Sequence, residues 1–337
     1  MGWLGNPWYP GSGLWIGRAS EEGRHADVGA EQVLKSALGD VGWQATRKLA
    51  TIPSTAGVPD PKPLSLPGRG QTVVVDAGPR HAPAVILLHS VACTGLLTWY
   101  PALERLAKNH RVVVFDQRWH GQGIRSHEFS LEDCADDVAA VADALGIGEF
   151  MVAGYSMGGM VGQLAAHRFP DRVTGLVLCS TASNFRRGLR QRVALDLFGR
   201  TLHLLRDQAR IGLVPGEPRR ERLARLEDHR WALEEFRSTS PWAIAVALDE
   251  IGRFDSTPWL HTLDLPAAVV VTSRDGFIAP AHQRSLARRI PGAATYEIPA
   301  GHTACVFAAD QFVAALMAAC TSVQAAIAGQ ERIADSA

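Results

Sequence analysis

With 337 residues, 34 Lys and Arg against 34 Asp and Glu, 47% hydrophobic and 20% charged residues, the chain has the composition of an ordinary globular protein, long enough for one α/β domain with an insertion or for two small domains. Its formal net charge of zero removes any electrostatic reason to expect nucleic acid or an anionic membrane as a partner. Five cysteines (Cys93, Cys134, Cys179, Cys305, Cys320) without a CxxC pair argue against a disulfide framework or a zinc site and for reduced thiols.

Met1-Gly-Trp-Leu-Gly-Asn lacks the basic start and apolar core of a signal peptide, and no continuous run of about eighteen apolar residues follows. A cytoplasmic location without a membrane span is therefore expected. Gly11-Ser12-Gly13-Leu14-Trp15-Ile16-Gly17 looks like a dinucleotide loop, but no strand precedes it and its third glycine falls one place late. Trp3, Trp8 and Trp15 are expected to pack on the main body or on a second subunit, which leaves a homodimer open. An amphipathic helix is expected from Ala30 to Leu49, then a proline-dense linker from Pro53 to Pro67. Residues 1–70 thus read as an N-terminal extension, and Leu64-Ser65-Leu66 with Gln71 to Asp76 as a hairpin leading into a sheet.

Regular alternation begins at Ala84. Apolar runs at Ala84 to Leu88, Arg111 to Phe115, Phe150 to Ala153, Val173 to Cys179 and Ala267 to Val271 are continuous rather than alternating, which marks strands buried on both faces of a parallel sheet. Helices are expected near Leu97 to Asn109, Leu131 to Leu145 and Met157 to Phe169. After Ser180 the strand pattern stops for about eighty residues of helical, arginine-rich sequence whose charges are mixed in sign. The expected organisation is a core over 71–180, a helical cap over 181–262, and the core again over 263–337, ending in a helix from Asp310 to Ala326.

The chemistry centres on Gly154-Tyr155-Ser156-Met157-Gly158, a GxSxG between an apolar strand and a helix. A serine on such a tight turn is lifted above the end of the sheet, and the flanking glycines remove side chains that would clash there. A serine hydroxyl is a weak nucleophile at neutral pH, so it needs a histidine base and a carboxylate to orient that base. Asp275, just after the strand Ala267 to Val271, and His302, in the loop after Thr295-Tyr296-Glu297-Ile298, supply these in the order Ser, Asp, His at successive strand ends. The oxyanion of acyl transfer needs two backbone donors, for which the N–H groups of Met157 and Val91 are the candidates. His89, His120 and His302 lack HxxxH spacing, so no metal and no cofactor is expected.

These motifs resemble the α/β-hydrolase superfamily over Gln71 to Ala319. His89-Ser90 stands where that family has a His-Gly oxyanion loop, and Asp116-Gln117-Arg118-Trp119-His120-Gly121 where it has Asp-x-Arg-Gly-His-Gly. Ser156 through Gln163, Pro170-Asp171-Arg172-Val173 and Ser180-Thr181-Ala182 are similar to the branch of 3-oxoadipate enol-lactonases, cofactor-free haloperoxidases and small esterases. The resemblance implies a three-layer α/β-hydrolase fold, a mostly parallel sheet with a helical cap insertion. It also implies a carboxylesterase-like serine hydrolase that acts on a small-molecule ester or lactone. An enol-lactonase, a perhydrolase, a carbon-carbon bond hydrolase and, in another class, a ligand receptor retaining the triad stay open. Ser156, standing where an aspartate would be, excludes a dehalogenase or epoxide hydrolase. The candidate pocket residues are His89, Trp119, Tyr155 and Trp242, with Trp119 narrowing the mouth and cap residues such as Leu195, Leu205 and Trp242 lining the acyl site.

Overall fold

The computed structural model describes residues 52–185 and 219–335. The expected helix over 30–49, the three N-terminal tryptophans and the leucine-rich stretch around Leu195 to Leu205 lie outside the described residues. A hairpin of β1 (Lys62–Leu66) and β2 (Gly70–Ala77) leads into β3 (Ala84–Leu88), α1 (Gly95–Leu106), β4 (Arg111–Phe115), α2 (Leu131–Ala144), β5 (Phe150–Tyr155), α3 (Met157–Arg168) and β6 (Val173–Cys179). Among the described residues, α4 (Arg219–Arg237) and α5 (Pro241–Arg253) intervene before β7 (Ala267–Thr272), α6 (Pro280–Arg289), β8 (Ala294–Ile298), the short α7 (Ala304–Phe307) and α8 (Ala309–Asp335).

The eight strands form one sheet in the order β1-β2-β4-β3-β5-β6-β7-β8, parallel from β4 to β8 and antiparallel at the β1–β2 and β2–β4 pairs. The central strands are apolar at every position because both faces are covered. Along β5, Phe150 and Val152 face a layer with Met160, Leu164 and Leu286, whereas Met151, Ala153 and Tyr155 face Trp99, Leu103 and Phe312. This is the expected three-layer α/β-hydrolase fold. From β3 the chain first adds β4 on one side and then returns to add β5 on the other. The carboxyl ends of β3 and β5 therefore flank a topological switch point, where open α/β sheets form their ligand sites.

Local signals set the element ends. Thr94, Ser130 and Ser240 cap α1, α2 and α5 by accepting from the backbone N–H three residues on, and Pro241 opens α5 where its missing N–H costs nothing. The cap at Thr94 starts α1 two residues before the expected Leu97. One helix among the described residues, α8 over Ala309–Gln330, is long and apolar enough to cross a membrane, with mean hydropathy 1.7, although Thr321, Ser322 and Gln324 interrupt its apolar run. Its Phe312, Leu316, Ala319 and Val323 are buried in the layer beneath β6 to β8, which is the use the fold makes of that apolarity.

The helical insertion leaves and rejoins the core at one place: Asn184 bridges Asp255 antiparallel, and Ser256 donates its N–H to Ser183. The Ser256 hydroxyl also donates to Gln163 of α3. Above the sheet, Thr94 donates to the Glu235 carboxylate of α4, and the Gly121 N–H donates to Thr239. Burial raises the Glu235 pKa above its usual value; the Thr94 hydrogen bond works against this, and nearby Asp116 and Glu234 add to it. A carboxyl that holds its proton more tightly when folded contributes stability below its unfolded value, about 4.5, and loses it as the pH rises through the raised value. Glu235→Gln should therefore raise the melting temperature near pH 8 and leave it unchanged near pH 4. A gain of equal size at both pH values would contradict this origin.

Candidate active site

Ser156 follows β5 directly and opens α3. Its φ of 53° and ψ of −114° are strained for a residue with a Cβ. The turn is this tight because three backbone segments converge on it: a Cβ on Gly154 would lie 2.2 Å from the Gly158 carbonyl oxygen, and one on Gly158 would lie 2.2 Å from that of Leu88. Thr181, just beyond β6, donates to the Ser156 carbonyl at 2.8 Å. The result is a fixed serine whose hydroxyl donates to His302 Nε2 at 3.0 Å.

His302 Nδ1 in turn donates to Asp275 Oδ2 at 2.8 Å, so residues 146 and 27 positions apart in the chain form one relay. Phe277 packs against the imidazole at a ring separation of 4.9 Å, and the Tyr155 hydroxyl donates to the His302 carbonyl at 2.7 Å. The Asp275 carboxylate is buried. Its Oδ1 accepts from the N–H groups of Phe277 (2.8 Å) and Ile278 (2.9 Å), and its Oδ2 also accepts from Thr272 Oγ1 (2.8 Å) and Gln283 Nε2 (3.1 Å). Burial alone would raise the Asp275 pKa; the facing His302 and these donors outweigh it and hold the carboxyl below its usual value.

Thr272 and Gln283 escaped the sequence reading. Gln283 is the buried amide of α6, an otherwise polar helix, and only burial distinguishes it from a surface glutamine. Gln283→Leu should lower kcat/KM about ten- to hundred-fold, the effect of one charge-assisted hydrogen bond worth about 1.5–3 kcal/mol. The loss should fall on kcat rather than on KM. Parental kcat/KM with a lowered melting temperature would make Gln283 merely structural.

The loop after β3 brings Ser90 and Val91 to the cavity that Ser156 faces. Among the described residues, the N–H groups of Val91 and Met157 have no hydrogen-bond partner. His89 lies behind this loop rather than in the pocket, fully buried, with its Nδ1 donating to the Ser90 carbonyl at 2.8 Å and its Nε2 accepting from the Gln117 N–H at 2.8 Å. Both ring nitrogens are thus committed, and burial pulls its pKa down to about 4. His120, pulled down to about 3 chiefly by burial, is also neutral. Among the described residues no group of three His, Cys, Asp or Glu could hold a metal ion.

Trp119 also departs from expectation. It takes a left-handed φ of 65°, the conformation open to the glycine it replaces, and its indole donates to Ser126 while its ring packs on Phe129. It backs the loop instead of narrowing the mouth. Asp116 and Gln117 do the same: Asp116 accepts from the N–H groups of Gly95 and Gln122, and Gln117 Nε2 donates to the His89 carbonyl at 2.8 Å. Arg118 pairs with buried Asp137. Trp242, at the first turn of α5, is 73% exposed and lies away from the cavity, which the insertion walls instead with Phe236, Leu248 and Ile251. Of the four candidate pocket residues only Tyr155 lines the cavity.

The family model for the alpha/beta hydrolase fold matches residues 83–309, more than half of the chain. The chain is 27% identical over 233 residues to a protein of Caulobacter sp. strain K31 provisionally named carbamate hydrolase RutD, with 65% of this chain and 84% of that protein covered. Among solved structures it is similar to the enol-lactonase of Burkholderia xenovorans LB400, with a TM-score of 0.62 and 26% identity over 77% of this chain and 100% of that one. A thermophilic esterase of Thermogutta terrifontis gives a TM-score of 0.61 and 25% identity over 79% and 99%.

Proposed function

The chain belongs to the α/β-hydrolase family, and from that premise we propose that it hydrolyses carboxylic esters through an acyl-enzyme on Ser156. The observation that carries this reading is the unbroken relay from the Ser156 hydroxyl through His302 to Asp275, opening on a cavity. In the proposed reaction, Ser156 Oγ attacks the ester carbonyl carbon while His302 Nε2 takes the hydroxyl proton. Asp275 holds the Nδ1–H tautomer and stabilises the imidazolium. The Val91 and Met157 N–H groups receive the negative charge that develops on the carbonyl oxygen. Collapse breaks the bond to the alcohol, which leaves with the proton from His302. A water, deprotonated by the same nitrogen, then releases the acid and restores Ser156.

Residues 181–262 act in this reading as the cap over the site. The five free cysteines, four of them buried, support a reducing, cytoplasmic compartment. A lactone is the second reading, supported by the enol-lactonase neighbour: the attack is the same, and the leaving alcohol stays tethered to the acyl group. Nitrophenyl esters of graded chain length and a set of lactones, each followed over many turnovers, test both. A single turnover with product retained on Ser156 would instead indicate a ligand receptor.

A further inference from the structure

The cavity in front of Ser156 has a volume of about 130 Å3, walled by Leu97, Met160 and Val306 of the core and by Phe236, Leu248 and Ile251 of the insertion. Among the described residues that line it there is no Lys, Arg, Asp or Glu. Its polar side chains are few, and the strongest are already committed: the Tyr155 hydroxyl to the His302 carbonyl, and the His302 ring to Ser156 and Asp275. We infer that the acyl group taken here is short, apolar and uncharged, and that a carboxylate on that group is excluded.

This rests on the reading of Ser156 as the acylated nucleophile. A carboxylate entering the cavity leaves its hydration behind and meets, among the described lining residues, apolar side chains and no cation to replace it. Asp275, of the same sign, stands directly behind the imidazole. The imidazolium that His302 becomes during the reaction is already paired with that aspartate. Size sets the other bound: an apolar cavity of about 150 Å3 holds benzene, so this one suits an acyl group of about four to six carbons.

Three 4-nitrophenyl esters separate charge from size: the pentanoate, the glutarate monoester, in which a carboxylate replaces the terminal methyl, and the methyl ester of that glutarate, which is longer but neutral. The pentanoate should exceed the glutarate monoester in kcat/KM by about a thousand-fold, and the methyl ester should stay within about thirty-fold of the pentanoate. Comparable rates for the anionic and neutral esters, or a methyl ester as slow as the acid, would overturn the inference. Binding to Ser156→Ala tests it without turnover. Ethyl pentanoate should raise the melting temperature in a concentration-dependent way, and monoethyl glutarate should not. That result, together with no hydrolysis by the parent protein, would refute the hydrolase reading and sustain the charge preference. Equal stabilisation by both ligands, or none by the neutral one, would overturn the preference itself.

Discussion

Ser156→Ala is expected to lower ester turnover by about a million-fold and to abolish labelling by a fluorophosphonate, with the fold intact. The Ser156 oxygen stands 3.0 Å from His302 Nε2 at the end of the relay, and removing it leaves the base with nothing to activate but water. The backbone offers a control on this interpretation. Ser156 holds a positive φ that alanine must also hold but glycine adopts freely, and such strain costs of order 1–3 kcal/mol. Ser156→Gly should therefore be as inactive as Ser156→Ala yet melt at a higher temperature. Full activity in Ser156→Ala, with labelling retained at another serine, would refute the assignment.

Asp275→Asn should cost roughly ten-thousand-fold in kcat, and the hydrogen bonds around the carboxylate say why. Oδ1 receives two backbone N–H groups, from Phe277 and Ile278, so an asparagine must place its carbonyl oxygen there and turn its NH2 toward His302. The ring must then accept at Nδ1 and carry its proton on Nε2, the tautomer that cannot take the proton of Ser156. The same substitution changes the acid stability. Because the folded Asp275 carboxyl is held below its unfolded value of 3.8, its contribution is present above that pH and lost as the pH falls toward the folded value. The asparagine variant should lose that part of the acid dependence. Near-parental rates would shift the acid role to Asp255 or Asp264, both exposed and outside the relay.

Some of this was written into local sequence. Continuous apolar runs such as Ala84 to Leu88 and Val173 to Cys179 announce strands covered on both faces, because a strand with one wet face would alternate. GxSxG between a strand and a helix marks a turn only small flanking residues permit, and the order Ser, Asp, His at strand ends follows from the way a parallel sheet gathers its loops on one edge. These are short-range or topological signals, and they place Ser156, Asp275 and His302 at one edge before any coordinate is known.

The pocket was not legible in the same way. Trp119 and Trp242 are both large and aromatic near the expected mouth, yet one turns back to donate to Ser126 and the other stands in solvent. A helix or loop sequence states which residues are apolar but not which face meets which neighbour. Gln283 looks like any polar residue of a surface helix until the packing of α6 on β7 buries it beside Asp275. His89 illustrates the same limit: its residue type suits a ligand or a pocket, but two backbone partners, one of them 28 residues away, consume both nitrogens and leave it a brace for the loop after β3. Sequence by itself determined the fold and the order in which Ser156, Asp275 and His302 come to one sheet edge, since periodicity and turn chemistry are local and the topology allows few arrangements. Only the tertiary structure decided which side chains line the cavity and which hold Asp275, because those depend on the direction each side chain takes when distant segments pack.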